Sequence, residues 1–463
     1  MSGAAGTGGL PGAPLSEERR RPLIDDAGRG LLTSLLEHPH APRYNHTCGD
    51  RLTTRGLVDV QAFDAETRRF AATGVQGDGA AGGRPAWVDG FARWCLATVP
   101  AYRAHGPLAR RFDEIPPIDR GALARAPWSF VPDDHPVDDM VVFTTTGTSS
   151  GRVAYVASTP EATASYAVLL RAALATRGLD LVGGPGRTAV AQVCWQRSTY
   201  TYAATSSFLG QAAVLKLNLN PAEWRDPDDP VRFLDELEPE VVTGDPVAFA
   251  RLAERPVRLR PKALLSTAMA LGPALRSRLE ARFGCPVIDI YGMNEAGPIA
   301  AALPDGSGHV VLQPHLHVEV LDADGRPCPV GEPGEVTLTG GFNPALPLLR
   351  YRTGDRAALG SVAGRPLLIG LAGRPPVPLV AADGRALNTI DVTVALHAFA
   401  LARFHVHQHA DRSVTVATES SGPLDEPALL AALAERFGEL PVRLASLAGQ
   451  PEQAPFSTDL PLA

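Results

Sequence analysis

The chain contains very little lysine. Among its 463 residues lysine occurs only at Lys216 and Lys262, although lysine and arginine together number 43. Nearly all positive charge is therefore arginine, and a GC-rich genome that favours arginine codons is the simplest cause. Any reaction step that needs a lysine side chain has only two candidates in this chain.

Other features are absent as well, and each absence excludes a class of protein. The five cysteines are scattered without paired spacing, which argues against structural zinc or a disulfide framework and favours a reducing cytoplasm. No apolar run approaches the roughly 18 to 20 residues of a membrane helix, and the first residues lack the apolar core of a secretory signal. The net charge of −7 comes without a basic block. We therefore expect a cytoplasmic protein with no membrane or nucleic-acid partner.

From Arg187 onward, short apolar runs alternate with helical stretches. This alternation predicts β-α-β units and a parallel sheet with both faces covered, in which ligands gather at the carboxyl ends of the strands. After Pro298 short strands follow one another without helices, which predicts an antiparallel appendage. The buried strands are predicted at 188–195, 212–219, 240–244, 262–266 and 287–292.

The two ends of the chain differ from this central part. Residues 1–20 contain too little apolar surface to become ordered and are predicted to be a disordered N-terminus. After Gly373 an α-β-β-α-β pattern predicts a small domain with its own core. The expected fold class is α/β: a large N-terminal domain (21–373) with mostly parallel sheets and a small antiparallel or barrel subdomain, plus a small C-terminal α+β domain (374–463).

The first segment that indicates chemistry runs from Val141 to Val156. A Val-Val-Phe strand leads into a loop rich in threonine, serine and glycine. Backbone N–H groups of such a loop can surround an anion while the hydroxyls donate further hydrogen bonds. The loop lacks the Gly-Lys-Ser/Thr of a P-loop, and a solvated Ser/Thr-rich loop is the alternative interpretation.

The second segment is VIDIYGMNEAGPIA, at 287–300. A buried strand delivers Tyr291 and Gly292 to its carboxyl end, and Glu295 follows within one turn. An aromatic ring beside a carboxylate is typical of a stacked purine with a divalent cation held next to its phosphates. The alternative is an ordinary strand end with a solvated glutamate.

The third segment is LPLLRYRTGD, at 346–355. Two arginines flank a tyrosine, and Thr353-Gly354-Asp355 is predicted to form a turn that presents a carboxylate. An aspartate in such a turn can accept both hydroxyls of a ribose, as acidic residues do in other nucleotide sites. Alone, this motif is a weak signal.

Taken together, in this order and at these separations, the three segments resemble the adenylate-forming superfamily of acyl-CoA synthetases, adenylation domains and luciferases. That family shares a phosphate loop, a Tyr-Gly-x-x-Glu motif and a Tyr-Arg-x-Gly-Asp motif. Within it the chain is most similar to the phenylacetate-CoA ligase group, through EVVTGDPVAF, KALLSTAMAL and YGMNEAGPIA and through the early boundary of the small domain. The resemblance extends from about residue 40 to the C-terminus and implies ATP and Mg²⁺ as cofactors.

The resemblance also implies roles for individual residues. Tyr291, next to Gly292, would pack on adenine, Glu295 would hold Mg²⁺ and Asp355 would hold the ribose hydroxyls. Arg374 would contact the nucleotide near the hinge between the domains. Further nucleotide contacts are implied for Thr145, Thr146, Gly147, Thr148, Ser149, Gly151 and Ser266, and Ala268 would line the adjoining acyl pocket.

The chain departs from the family pattern in two places. Relatives carry a lysine near the C-terminus that neutralises the carboxylate and the α-phosphate, whereas 452–463 holds neither lysine nor arginine. One such cation in a dry site is worth about two to three powers of ten in rate. At the hinge, Pro375 and Pro376 restrict rotation. Lys216, near the end of a predicted strand, is the candidate substitute cation, and a lysine reaching solvent is the alternative.

Two further groups of side chains have less specific interpretations. The aromatic stretch 194–208 predicts a pocket for a flat organic acid, lined by Trp195, Tyr200, Tyr202 and Phe208 with Arg197 as the anion partner, although ordinary packing is the alternative. Histidines alternate along several predicted strands, and we expect them to face solvent rather than bind metal. They are His309, His315, His317, His405, His407 and His409.

Three functions remain open from the sequence alone. The first is an AMP-forming ligase that activates a small, aromatic carboxylic acid in specialised metabolism and transfers it to a thiol or amine, with CoA or a carrier protein as acceptor. The second is the same scaffold activating nitrite for diazotisation of an aryl amine. The third is a nucleotide-binding protein with little turnover. The chain is expected to be a monomer or a homodimer.

Overall fold

The computed structural model describes residues 15–74, 84–104, 111–144, 155–196, 199–372, 377–387, 389–399, 401–420, 424–447, 450 and 454–460. In these ranges no helix is long and apolar enough to cross a membrane. The helices are α1 (Glu17–Arg20), α2 (Asp26–Glu37), α3 (Thr54–Thr73), α4 (Trp87–Thr98), α5 (Pro100–Arg103), α6 (Arg120–Arg125), α7 (Pro160–Ala175), α8 (Asp229–Leu237), α9 (Pro246–Ala253), α10 (Pro273–Phe283), α11 (Thr389–His397) and α12 (Glu426–Phe437).

The strands form one large sheet, one small sheet and two isolated pairs. They are β1 (Val141–Thr144), β2 (Tyr155–Ser158), β3 (Thr188–Cys194), β4 (Tyr202–Ser206), β5 (Ala212–Asn218), β6 (Val241–Gly244), β7 (Ala263–Ser266), β8 (Val287–Met293), β9 (Gly297–Ala302), β10 (His309–Val311), β11 (Leu316–Leu321), β12 (Pro333–Gly340), β13 (Leu348–Val362), β14 (Arg365–Ala372), β15 (Leu379–Val380), β16 (Ala386–Leu387), β17 (Leu401–Gln408), β18 (Val414–Ser420), β19 (Val442–Ser446) and β20 (Phe456–Thr458).

The large sheet has twelve strands in the order β11-β12-β13-β14-β10-β9-β8-β7-β6-β3-β5-β4. Strands β5, β3, β6, β7 and β8 are parallel, and β4 closes that edge antiparallel. From β8 to β11 every pairing is antiparallel. The predicted parallel sheet with an antiparallel appendage is therefore confirmed.

Helices cover both faces of the parallel strands. On one face β5 contributes Leu215 and Leu217 to a core shared with α8, α9 and α10. On the other face Ala212 of the same strand joins a core shared with α3 and α7. Because side chains alternate along a strand, Lys216 projects toward the α7 face.

The C-terminal region has its own sheet and core, as predicted. Its order is β19-β18-β17-β20, and it shares no strand with the large sheet among the described residues. Phe404 of β17 packs with Leu433 and Phe437 of α12 in a separate apolar cluster. These features confirm the α/β fold class with a small α+β domain. The domain boundary and the Pro375–Pro376 hinge remain predictions, because 373–376 lie outside the described residues.

Three local predictions differ from the structure. Thr353-Gly354-Asp355 is not a turn but lies inside the long strand β13, where the pairing with β12 is irregular and Gly354 has a φ of 82°. A β-bulge, rather than a chain reversal, presents the aspartate. Of the predicted disordered N-terminus, residues 1–14 lie outside the described residues and Glu17–Arg20 form one helical turn. The histidines predicted to face solvent are half-buried.

Candidate functional site

Tyr291 and Asp355, from two different motifs, are in direct contact. The Tyr291 hydroxyl donates a hydrogen bond to Asp355 Oδ2 at 2.8 Å, across 64 positions of sequence. Strands β9, β10 and β14 lie between β8 and β13, and four strand spacings in a flat sheet would separate them by about 19 Å. The antiparallel part of the sheet therefore curls back on itself, which matches the predicted barrel-like subdomain.

The bulge in β13 fixes the orientation of Asp355. Its backbone N–H donates to Thr353 Oγ1 at 3.1 Å, and that hydroxyl in turn donates to the Val336 carbonyl at 2.9 Å. Burial raises the pKa of the Tyr291 hydroxyl well above its usual value, and the Asp355 charge raises it further. The tyrosine thus remains protonated and can hold the carboxylate in place.

Gly292 is required by the close approach of β8 and β9. A Cβ atom at this position would lie 2.8 Å from the Gly297 carbonyl oxygen and 3.1 Å from Pro298 Cα. Only glycine allows the two strands to approach this closely between Tyr291 and the hairpin turn that carries Glu295.

Glu295 is buried and engaged by two residues that the sequence did not identify. Its side chain lies in the turn between β8 and β9 with 2% of the residue exposed. Tyr351 donates its hydroxyl hydrogen to Oε1 at 3.1 Å, and Arg120 Nε at the start of α6 lies 3.4 Å from the same oxygen. The carboxylate therefore occupies a fixed position with a guanidinium beside it.

The arginines that flank Tyr351 stabilise the fold and do not contact Glu295. Arg350 is fully buried and forms a bidentate ion pair with Glu319, at 3.2 and 3.1 Å. Arg352 pairs with Glu335 at 2.8 Å. Of the three central residues in this motif, only the tyrosine takes part in the candidate site, and the arginines hold β13 against its neighbours.

Lys216 lies near the carboxyl ends of the parallel strands, as predicted. The alternative of a lysine reaching solvent does not hold, since only 9% of the residue is exposed. Its Nζ lies 3.3 Å from the centre of the Tyr200 ring, a cation–π contact. Among the described residues it forms no ion pair, yet its charge lowers the pKa of His46, after the larger effect of burial.

Tyr166 of α7 lies close to Glu295. Burial raises the pKa of its hydroxyl, and the charge of Glu295 raises it further. Tyr166 also lines a small pocket with Glu295 and Gln313. The pocket beside α7 therefore contains the Glu295 carboxylate, while the Lys216 ammonium lies against Tyr200 on the same face of the sheet.

The second lysine lies at the opposite end of the sheet. Lys262 precedes β7, and its Nζ is 2.6 Å from Oε2 of Glu240, which precedes β6. Glu240 also accepts hydrogen bonds from the backbone N–H groups of Val182 and Gly183. These groups surround the amino ends of the strands, so Lys262 stabilises the fold away from the pocket beside α7.

The structure does not bring the predicted aromatic pocket together. Tyr202 pairs with Lys216 across β4 and β5 and shares its face of the sheet. Trp195 packs in the core of the opposite face, where the guanidinium groups of Arg251 and Arg255 lie over its ring. Tyr200, also predicted to line this pocket, stacks on Tyr202 with ring centroids 6.2 Å apart. Arg197 lies outside the described residues.

Ser266 and Ala268 occupy the carboxyl end of β7, as predicted. Ser266 is fully buried, and its hydroxyl has no hydrogen-bond partner among the described residues. Ala268 is exposed and adopts a left-handed conformation with a φ of 69°. A buried hydroxyl without a partner and a strained backbone just after it are features that cluster at ligand sites.

Replacing Ser266 by alanine is expected to leave thermal stability unchanged or slightly higher, because a buried hydroxyl without a partner costs free energy in the unliganded protein. The same change should weaken binding of ATP or of the acid about two- to tenfold, the effect of one lost hydrogen bond. Melting temperatures with and without ATP would measure both effects. A lower melting temperature with unchanged ligand binding would show that the hydroxyl has a structural role.

Asp391 of α11, in the small domain, has a minor electrostatic effect on two groups of the large domain. Burial raises the pKa of the Cys194 thiol at the end of β3, and Asp391 is a smaller cause in the same direction. Asp391 also raises the pKa of Asp245, which follows β6 and is affected most by burial. The predicted phosphate loop, 145–151, and Arg374 lie outside the described residues, so their roles stay predictions.

Comparison with known proteins agrees with these motifs. Residues 185–343 match the family model described as AMP-binding enzyme. Phenylacetate-coenzyme A ligase of Escherichia coli is 38% identical over 90 residues, which cover 19% of this chain and 21% of the relative. The phenylacetate-coenzyme A ligase of Thermus thermophilus is 30% identical over 157 residues, 32% of this chain and 35% of the relative. The chain thus spans about a third or less of these relatives in the matched regions.

A solved structure of 2-hydroxyisobutyryl-CoA ligase in complex with R3-HIB-AMP covers 80% of this chain and 89% of its own, with 17% identity and a TM-score of 0.49. Tyr291 and Glu295 lie within the region that matches the family model. Over residues 185–343 this chain is thus similar to AMP-binding enzymes, and over shorter segments it is similar to the phenylacetate-coenzyme A ligases.

Proposed function

We propose that the chain is an ATP-dependent, AMP-forming ligase that activates a small carboxylic acid as an acyl-adenylate and transfers the acyl group to a thiol, with CoA as acceptor. The observation that carries this proposal is the contact between Tyr291 and Asp355 at 2.8 Å. Two motifs that are far apart in sequence meet there, and Glu295 lies in the hairpin turn that follows Tyr291.

The proposed reaction has two steps. An oxygen of the acid's carboxylate attacks the α-phosphorus of ATP, and the bond from that phosphorus to pyrophosphate breaks. The thiol sulfur then attacks the acyl carbon, AMP leaves with the electron pair of the acyl–oxygen bond, and the thiol proton passes to solvent. Both steps bring negatively charged groups together, so the site must supply positive charge.

The nucleotide would be held by the barrel-like subdomain. Asp355 would accept hydrogen bonds from the ribose hydroxyls, in the orientation set by Tyr291 and by the bulge at Gly354. The Tyr291 ring would lie against adenine. Ser266 would supply a hydroxyl to the nucleotide or the acid, since its Oγ has no partner among the described residues.

Glu295 is suited to bind Mg²⁺. Magnesium is commonly bound by one or two carboxylates together with phosphates and water, and a single buried carboxylate matches that requirement. Bound Mg²⁺ would neutralise phosphate charge. Tyr351 and Arg120, both at Oε1, would hold the carboxylate in a fixed position while its other oxygen is directed to the cation.

The acid would lie beside Lys216, near the carboxyl ends of the parallel strands. The Lys216 ammonium would attract the carboxylate and would take the place of the lysine that the family carries near the C-terminus. Tyr200 and Tyr202 offer two stacked rings beside it, which favours a flat, aromatic acid.

ATP–pyrophosphate exchange with the full chain tests this function. We expect exchange with phenylacetate or another aromatic acid. The Asp355→Ala variant should lose this exchange. The Asp305→Ala variant should keep it, because Asp305 is an exposed residue in the loop between β9 and β10. Exchange or AMP release with nitrite and an aryl amine alone would favour diazotisation instead. ATP binding without exchange for any of these substrates would favour a nucleotide-binding protein without turnover.

A further inference from the structure

The sheet of the small domain gathers imidazole, hydroxyl and carboxylate groups on one face. Along β17 the residues alternate between buried and half-buried, so His405 and His407 project on the same side and His409 follows two positions later. Strand β20 pairs with β17 in parallel register, with His407 opposite Ser457. Asp459 follows directly after β20.

Three potential metal ligands converge at this edge. His407 Nε2 lies 3.2 Å from Asp459 Oδ2, and His409 Nδ1 lies 3.8 Å from the same oxygen. All three ligand atoms lie within 4.8 Å of one another. Ligand atoms around a tetrahedral zinc ion lie roughly 3.3 Å apart, so small side-chain rotations would complete such an arrangement.

The opposite nitrogen of each imidazole is already held by a hydroxyl. His407 Nδ1 lies 2.7 Å from Ser457 Oγ, and His409 Nε2 lies 2.8 Å from Thr415 Oγ1. When these nitrogens donate to the hydroxyls, the lone pairs of His407 Nε2 and His409 Nδ1 point toward the Asp459 carboxylate. Metal-binding histidines are commonly oriented by a hydrogen bond of this kind on the second nitrogen.

Two imidazole lone pairs and a carboxylate oxygen that face one another repel unless protons or a cation lie between them. We propose that His407, His409 and Asp459 bind a divalent transition-metal ion such as Zn²⁺, with water in the fourth position. An N₂O donor set favours zinc, cobalt, nickel or copper over magnesium. The side chains are 24, 41 and 51% exposed, so the ion can enter from solvent.

A metal at this position would connect the last strand to the rest of the domain. Strand β20 contains only three residues. It lies at the edge of the small sheet, where it pairs with β17. A metal shared by β17 and Asp459 would fasten this terminal segment. The site is separate from Glu295 and does not depend on the proposed ligase activity.

Zinc titration of the full chain by calorimetry, after removal of metal with a chelator, tests the proposal. We expect one equivalent of Zn²⁺ to bind, and His407→Ala or His409→Ala to abolish this binding. Ser457→Ala should weaken it about tenfold, the effect of losing an outer hydrogen bond. His315→Ala, which removes a half-buried imidazole beside Glu66 in the large domain, is the matched control and should bind as the wild type does.

The visible absorption spectrum of bound Co²⁺ would report the coordination geometry directly. Asp459→Asn provides a second variant if a histidine variant fails to fold. Failure of the wild type to bind Zn²⁺ would overturn the proposal and show that protons alone hold the cluster. Unchanged binding by His407→Ala/His409→Ala would overturn it as well, because the ion would then lie elsewhere.

Discussion

Replacing Glu295 by glutamine is expected to slow adenylate formation about 10²- to 10³-fold. Glutamine keeps the shape of the side chain and can still accept the Tyr351 hydrogen bond, but it lacks the charge that would bind Mg²⁺. The variant should therefore also need more Mg²⁺ for half-maximal exchange. Pyrophosphate exchange measured over a Mg²⁺ titration would give both quantities.

Glu240→Gln is the matched control for this variant. Glu240 is likewise a buried carboxylate paired with a cation, but it lies at the amino ends of the strands. Its loss should lower thermal stability and leave the exchange rate per folded molecule unchanged. A Glu295→Gln enzyme with the wild-type rate and Mg²⁺ dependence would rule out the metal-binding role.

Replacing Lys216 by alanine is expected to reduce adenylate formation about a hundredfold, the scale of one preorganised charged contact in a site shielded from water. Lys216 is 9% exposed and is covered by Tyr200, so solvent screens its charge only weakly. The loss should appear in exchange at saturating ATP, and binding of the acid should weaken as well.

Lys262→Ala provides the comparison, since these are the two lysines of the chain. Lys262 pairs with Glu240 at the opposite end of the sheet, so its removal should affect stability rather than turnover. Full activity in Lys216→Ala would show that the positive charge comes from elsewhere, and Arg120 beside Glu295 would be the next residue to replace.

The parallel half of the fold could be predicted because its strands are short, continuous apolar runs. Residues 188–195 and 212–219 follow this pattern, and both correspond closely to β3 and β5. Strands that are buried on both faces of a parallel sheet are typically continuous apolar runs of this kind, so the pattern predicts such a strand directly. The strand β13 was harder to recognise, because glycine and charged residues at 352–356 are typical of a turn, and only pairing with β12 makes this segment a bulged strand.

The motif residues Tyr291, Glu295 and Asp355 could be identified from sequence, but their contacts could not. Tyr351 lies inside a recognised motif, yet its hydrogen bond to Glu295 depends on the curl of the sheet. Arg120 lies far upstream in a helix of six residues, and no pattern in the sequence marks it. Ion pairs between elements that are distant in sequence depend on tertiary packing, and the local pattern of apolar and polar residues does not predict that packing.

The side of the sheet on which Trp195 lies depends on how β3 pairs with β5, which the sequence alone does not show. Gln192 pairs with Lys216 in the sheet, and Trp195 lies three positions after Gln192. An odd separation along an extended chain places two side chains on opposite faces. The same rule shows that His405 and His407 share a face, but their approach to Asp459 depends on the register of β20.

A crystal structure with a hydrolysis-resistant acyl-adenylate analogue of an aromatic acid would test the central claim most directly. The proposed function predicts that Asp355 contacts the ribose hydroxyls, that adenine lies on the Tyr291 ring, and that Lys216 Nζ lies within hydrogen-bond distance of the acyl or phosphate-mimicking group. An analogue bound away from Asp355, or with Lys216 still covered by Tyr200 and out of reach, would contradict it.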